Sequence, residues 1–402
     1  MVVLVGMGEH MAEQFLPLYL LALGGGFLSV GFLNGMDNLL GALYAFPGGY
    51  LSDRLGVKRA LLLFNLVSMA GFAVVILVPH WLAVILAAAL FLSWTAISLP
   101  ATMSLVARAL PRNKRTMGVS VHSLVRRVPM ALGPVVGGMF IAAWGVELGV
   151  RLAFVAALAM AVVAAILQQV LIEADATDNR PRPTAEHNPF RLWPVMSADL
   201  RRLLVADILV RFCEQIPYAF VVVWAVGTEA APGPVTAAQF GLLRSIEMAT
   251  AILIYVPVAY LADRGHKKPF VLITFVFFTL FPLVLYVSHS FWMLAGAFAL
   301  RGLKEFGEPT RKALIMDLAP EDRKAGVFGL YYLIRDTVVS VAAFGGAFLW
   351  RRSPALNLMT AFAFGVAGTA WFALRGRDLS PAASGGPRGE GRPAPLPPPA
   401  PQ

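Results

Sequence analysis

The sequence predicts an all-α polytopic membrane protein, with twelve transmembrane helices in two pseudo-symmetric six-helix bundles. Three observations carry that prediction. Of 402 residues, 58% are hydrophobic and only 14% charged, with a mean hydropathy of +0.70, whereas a soluble domain is roughly 25% charged. Windows such as "ALLLFNLVSMAGFAVVILV" (60–78) and "LAFVAALAMAVVAAILQQVLI" (152–172) carry no charge over the ~20 residues that a bilayer core demands. Finally, the second half of the chain repeats charged residues and prolines of the first in register.

The spans of the first half lie near 2–23, 28–50, 59–79, 81–106, 117–143 and 149–173. Those of the second lie near 202–227, 236–261, 269–287, 290–314, 325–349 and 354–374. The first begins almost at Met1 without the pattern of a cleaved signal, and an upstream start codon is one reading. Connections after odd-numbered spans are short and nearly uncharged, such as "LGGGFL" and "VPHW". Those after even-numbered spans are basic: Arg54, Lys58 and Arg59; Arg108, Arg112, Lys114 and Arg115; Arg264, Lys267 and Lys268; Arg311, Lys312, Arg323 and Lys324. The opposite side offers only Arg151, Arg351 and Arg352. By the positive-inside rule both termini are cytoplasmic, in a cell (inner) membrane. The net charge of +10 is then a topology signal, and no nucleic-acid partner is expected.

The longest break, 174–201, is polar and Pro-containing and separates bundles at 1–173 and 202–376. It reads as a cytoplasmic linker, whose Phe190, Leu192, Trp193 and Met196 are placed to face lipid on the inner leaflet. The tail at 377–402 is Pro/Gly-rich and reads as disordered. Cys213 is the sole cysteine, so no disulfide framework exists. No metal site, cofactor or phosphate-binding GxxxxGK[ST] signature is expected.

The duplication rests on residues that apolar helices do not share by chance. "YAFPGGYLSDRLGVKR" (44–59) aligns with "LIYVPVAYLADRGHKK" (253–268), pairing Pro47 with Pro257, Asp53 with Asp263 and Arg54 with Arg264. "HMAEQFLPLY" (10–19) resembles "RFCEQIPYAF" (211–220), pairing Glu13 with Glu214 and Gln14 with Gln215. Further on, Arg127 falls on Arg335 and Gly137–Gly138 on Gly345–Gly346.

The stretch "GGYLSDRLGVKR" (48–59) resembles the signature loop of the major facilitator superfamily, G-x-x-x-D-[RK]-x-G-x-[RK]-[RK]. Gly49, Asp53, Arg54, Gly56, Lys58 and Arg59 fill every specified position. Its copy, with Asp263 and Arg264, is degenerate: Ala259 replaces the Gly and the loop is one residue shorter. "GPVVGG", with Gly133, Pro134, Gly137 and Gly138, resembles the end of a fifth-helix motif of drug:proton antiporter-like exporters; Ser120 and Pro129 replace its upstream glycines. The resemblance implies a monomeric transporter, not an enzyme, working by alternating access. It also implies that Asp53 faces the N-terminal end of the eleventh helix, where a carboxylate is favoured, as a breakable cytoplasmic latch. For Lys58 and Arg59 a pure topology role is equally open.

Charges inside the bilayer cost roughly 2.5–3.5 kcal/mol each on the insertion scale, so each needs a reason. The first helix carries Glu9, His10, Glu13 and Gln14, and the seventh Asp207, Arg211 and Glu214. The resemblance places both helices on a central cavity for a small-molecule substrate. Arg126, Arg127, Arg244, Glu247, Arg301, Lys304, Glu305, Arg335 and Asp336 complete the set, with Arg127, Arg301, Glu305, Arg335 and Asp336 as cavity candidates. Arg335–Asp336 and Arg301–Glu305 also read as internal ion pairs. Glu308, Arg311 and Lys312 read as serving the cytoplasmic gate. Glu13 and Asp37 have no cation on their own helices except His10. Desolvation disfavours a charged carboxyl, so these two, then Glu9, are the proton-coupling candidates.

Proton-coupled export is the leading functional reading. The alternatives are an uptake symporter for an anionic or zwitterionic metabolite, using Arg127, Arg211 and Arg335, and a transport-inactive receptor or scaffold.

Overall fold

A computed structural model describes residues 2–92, 98, 115–172, 189–228, 231–262, 267–320 and 324–377. At 2, 45–54, 57, 115–124, 189–191, 255–256, 258–262 and 324–326 only the backbone is described. The expected linker before 189, the tail after 377 and the loop at 263–266 lie outside the described residues, as do the side chains of Asp53 and Arg54.

The first half comprises α1 (Val2–Glu13), α2 (Leu16–Ala22), α3 (Gly26–Leu55), α4 (Val57–Leu77), α5 (Trp81–Phe91) and α6 (Arg115–Leu171). The second comprises α7 (Ala198–Gln215), α8 (Val221–Val226), α9 (Ala237–Ala262), α10 (Lys267–Val287), α11 (Phe291–Gly302), α12 (Glu308–Leu318), α13 (Lys324–Arg352) and α14 (Pro354–Arg375). A two-residue hairpin, β1 (Gly227–Thr228) with β2 (Ala231–Pro232), joins α8 to α9. Among the described residues, seven helices are long and apolar enough to cross a membrane. One of them, Val125–Leu171, has 47 residues, which at ~1.5 Å each is enough to cross twice. It reverses at Gly145, whose φ of 77° suits glycine without strain. Gly56, with φ 84°, turns α3 into α4 inside the signature loop.

Three helices that the sequence presents as continuous are interrupted. The α1/α2 break falls at Gln14 and Phe15, ahead of Pro17, and the α7/α8 break at Ile216 and Pro217. In the internal repeat these positions fall one residue apart, so the breaks are duplicated too. Proline removes an amide donor and clashes with the carbonyl four residues back. In a bilayer the freed carbonyls must find donors. Asn34 Nδ2 donates to Gln215 O at 3.2 Å and Asn357 Nδ2 to Ile216 O at 3.2 Å. The third break is a 3₁₀ turn, Leu303–Glu305, between α11 and α12.

The two halves meet along two seams, α3 on α13 and α6 on α9. Both require glycine. A Cβ on Gly31 would overlap Ala347, and one on Gly35 would sit 2.5 Å from the Phe344 ring. In the other seam, Gly138 abuts the Ala237 carbonyl and Gly241 the Pro134 carbonyl. Small residues let helix backbones approach closely, which supplies van der Waals contact where lipid offers no hydrophobic drive. Edge-on and tilted aromatic pairs cross the same region: Phe15–Phe240 at 5.9 Å, Phe27–Phe220 at 6.3 Å and Phe32–Phe344 at 5.6 Å. One apolar core therefore spans both halves at the end opposite the termini.

The segment expected to face lipid does otherwise. Pro189–Val195 is a 3₁₀ helix against α13. Leu192 and Met196 are buried in an apolar cluster with Leu200, Leu314, Val327 and Leu330. That recess already excludes water, so the two side chains gain more contact there than at a leaflet surface. Trp193 is 41% exposed, and the side chain of Phe190 lies outside the described residues.

Candidate functional site

Where the seams end, the halves part around a cavity of about 400 Å³. Glu9, His10 and Glu13 reach it from α1, Asp37 and Asn38 from α3, and Arg126 from α6. Arg211 and Gln215 of α7 and Arg335 and Asp336 of α13 form the facing wall. The first-half wall thus sets three carboxylates against one guanidinium. The second-half wall sets two guanidiniums against one carboxylate. A smaller chamber of about 60 Å³ adjoins toward the seams, lined by Glu13, Gln14, Asn34, Asp37, Tyr218, Arg244 and Arg301. Glu13 and Asp37 line both spaces.

Behind the basic wall lies a network of buried charge. Arg211 donates to Glu214 at 2.6 Å and approaches Glu308 at 3.5 Å. Lys304 donates to Glu214 at 2.7 Å and lies 3.7 Å from Glu247, which also pairs with Arg244 and with Arg301 at 3.5 Å. Asp207 is 1% exposed and holds Arg311, with Tyr331 donating at 3.0 Å. Buried charges persist when they are paired, and this network gives each of these second-half charges an ionic partner, although Arg244 Nε and Glu247 Oε1 make no hydrogen bond among the described residues.

The expected sites sort unevenly onto this geometry. Arg335–Asp336 pairs as the sequence implied, at 2.7 Å. Arg301–Glu305 does not. The 3₁₀ turn at Leu303–Glu305 destroys the i,i+4 register. Glu305 turns instead to the other half and accepts from Arg127 at 3.0 Å. Arg301 stacks over Tyr218 at 5.3 Å and Phe281 at 5.0 Å. Asp207, Glu214, Arg127 and Glu305 are not among the described residues that line the larger cavity. Arg311, read as a gate residue, is fully buried and grips Asp207 and Glu308 (2.7 Å), because burial at that depth demands anionic partners. Lys312 is exposed and 3.6 Å from Glu308.

Lys58 of the signature loop ties α4 to the end of α6, donating to Gln169 O at 2.7 Å, and Arg59 is exposed. Asp263 and Arg264 lie outside the described residues. The GPVVGG glycines divide their work: Gly133 lies on His10 and Gly137 on the Met11 carbonyl, within the first half, while Gly138 serves the seam to α9.

Several site residues escaped the sequence reading. Asn38 Nδ2 donates to Gln215 Oε1 across the halves at 3.2 Å, and Ser245 donates to Ala131 O at 2.6 Å. Neutral polar residues in apolar spans carry little hydropathy signal. The Gly31/Gly35 pair, by contrast, is a G-x-x-x-G spacing legible in the sequence.

The comparisons agree with this architecture. The Major Facilitator Superfamily profile matches residues 1–229 and 208–399. An uncharacterized MFS-type transporter of Methanocaldococcus jannaschii is 20% identical over 368 residues, covering 88% of this chain and 87% of that protein. Among solved structures, a mutant of the peptide transporter POT superposes with a TM-score of 0.73 at 17% identity, covering 94% of each chain. A bacterial homologue of the iron transporter ferroportin, in an inward-facing state, gives 0.71 at 15% identity, covering 93% of this chain and 96% of that one. At these identities the structural likeness speaks for fold alone. The profile, matching both halves, settles membership: this chain belongs to the Major Facilitator Superfamily of membrane transporters.

Proposed function

We propose that this multi-pass membrane protein is a proton-coupled secondary transporter of a small solute, working as an exporter by alternating access. In this reading it has twelve spans in two six-helix bundles, 1–173 and 202–376. It acts as a monomer in the cell membrane with both termini in the cytoplasm. The observation that carries the reading is the charged cavity between the halves, bounded on one side by glycine seams that the duplication relates. A structure shut at the end opposite the termini is one of two states, and rocking the halves exchanges it for the other. Glu13 and Asp37, lining both the cavity and the chamber beyond it, are positioned to meet protons from either side in turn. Glu13 faces His10 at 3.9 Å, whereas Glu214 is held by Arg211 and Lys304. Glu13 therefore trades the proton, and Glu214 orients the wall.

Export is favoured by the helix-five GPVVGG segment. Uptake by symport is the second reading, favoured by Arg211 and Arg335 on the cavity wall. Proteoliposomes with an acidic lumen and a pH-sensitive dye separate the two, using a panel of antibiotics, dyes and amino acids. In antiport, a transported solute added outside hastens loss of the gradient. In symport, it does so only when loaded inside. If no solute in either arrangement changes proton flux relative to empty vesicles, proton-coupled transport is wrong.

A further inference from the structure

The larger cavity is electrically divided, and each wall carries a charged residue with one polar atom that makes no hydrogen bond among the described residues. On the first-half wall, Glu13 Oε2 is buried yet accepts no hydrogen bond among the described residues. Its neighbour His10 Nδ1 stands 3.9 Å away, beyond hydrogen-bond reach. On the second-half wall, Arg335 is 8% exposed, and its Nη1 makes no hydrogen bond among the described residues. It is ion-paired at 3.5 Å with Asp207 Oδ2, which Arg311 and Tyr331 also engage. The other face of the Arg335 guanidinium lies over the Tyr332 ring at 4.2 Å, and its Nε is committed to Asp336.

A buried acceptor or donor without a partner costs about 1–3 kcal/mol, more for a charged group. Native proteins leave few such groups, and those they leave need a reason. Here one unsatisfied atom is an anionic acceptor, the other a cationic donor. They belong to residues on opposite halves of the chain that line the same space. The remaining charges have the same polarity. Glu9 and Asp37 accompany Glu13, with Arg126 as the guanidinium of that wall, and Arg211 accompanies Arg335. A purely cationic solute gives the basic wall no counter-charge, and a purely anionic one gives the acidic wall none. A neutral amphiphile gives neither wall a counter-charge. A solute bearing both charges complements both walls.

We propose that the transported solute is a small zwitterion bound between the halves, its ammonium group on Glu13 and its anionic group on Arg335. A cavity of about 400 Å³ sits toward the small end of ligand sites, which suits a compact dipolar molecule. Because the two charges are held by different halves, such a solute cross-links the halves at mid-depth. This inference specifies the substrate of the transporter proposed above and rests on that reading.

The test uses purified full-length protein and a series of ω-amino acids of graded charge separation: glycine, β-alanine, γ-aminobutyrate, δ-aminovalerate and ε-aminocaproate. Pentylamine and caproate are the matched single-charge controls. Binding is read by thermal stabilisation and by isothermal titration. At least one member of the series is expected to bind, and both controls to bind at least tenfold more weakly. Glu13→Gln should erase the preference for the zwitterion over caproate, and Arg335→Gln the preference over pentylamine. Should Arg335→Gln fail to fold, Arg335→Lys keeps the charge and should retain the preference while weakening binding. Equal binding of pentylamine or caproate, or no binding by any member of the series, overturns the assignment. Proton-coupled flux of solutes with a single charge in the vesicle assay leaves the transporter reading standing and removes this one. Zwitterion binding without any coupled flux removes the transporter reading and keeps only the two-wall binding site.

Discussion

Replacing Gly31 with leucine should jam the α3/α13 seam and push the protein toward its other state. A Cβ at Gly31 already overlaps Ala347 Cβ, and the alternatives to moving it are blocked by Ala347 Cα and the Phe344 carbonyl oxygen, each 3.4 Å away. Backbone atoms cannot rotate aside as a flexible side chain can. Overpacking of this kind costs about 1–3 kcal/mol. The cost falls on the seam-closed state alone, so it appears as a change in the ratio of the two states of about 5- to 150-fold. Spin labels at Leu77→Cys and Trp292→Cys, which are 75% and 80% exposed and lie in the last turn of α4 and the first turn of α11, in opposite halves, report their separation by pulsed dipolar spectroscopy. The native Cys213 is fully buried and does not label. Gly31→Leu should enrich the longer separation by a factor in that range, and transport should slow because both states are needed. Gly345→Ala is the control, since a Cβ there meets nothing within 4 Å, and it should leave the distribution unchanged. A folded Gly31→Leu protein with the wild-type distribution refutes the view that the seam is a gate.

Three further outcomes follow from the same geometry. Arg127 and Glu305 are paired between the halves at 3.0 Å, so Arg127→Glu and Glu305→Arg should each slow vesicle transport about tenfold. The double exchange should recover most of the loss, with a coupling of about 0.5–3 kcal/mol in a double-mutant cycle. Asp207→Asn should destabilise the fold by about 1–3 kcal/mol, because it removes one of the two anions that hold the buried Arg311 and leaves Glu308 alone; thermal unfolding in detergent reads this, and an unchanged transition contradicts it. Asp53→Asn should insert normally yet slow transport severely, while Asp263→Asn, in the degenerate copy, should do less harm; comparable turnover of the two variants would place the latch elsewhere.

Much of the architecture was legible because bilayers punish exceptions. Glu13, Asp37, Arg211 and Glu214 stood out since a charge at mid-membrane needs a reason, and all four come to the cavity or the network behind it. The repeat located more than expected: Gln14 and Gln215 align, and the first and seventh helices break just there. What hydropathy could not convey was helix continuity. The span read near 290–314 seemed one helix, so Arg301 and Glu305 seemed partners. The 3₁₀ turn at 303–305 sends them to different neighbours in different halves. Leu192 and Met196 misled for a related reason. An apolar residue near a membrane surface is drawn equally to lipid and to an apolar recess, and only the tertiary structure supplies the recess. Asn34 and Asn357 gave no signal because their task, satisfying carbonyls freed at the α7 break, exists only once the break is known.

The central claim is that one cavity is reached alternately from the two faces of the membrane. Ala42→Cys places a thiol on the cavity wall, and a membrane-impermeant maleimide applied to either face of oriented vesicles reports its access. The account predicts labelling from both faces, with Gly31→Leu raising the rate from the face opposite the termini and lowering it from the other. Labelling from a single face in the wild-type and seam variants alike would contradict it.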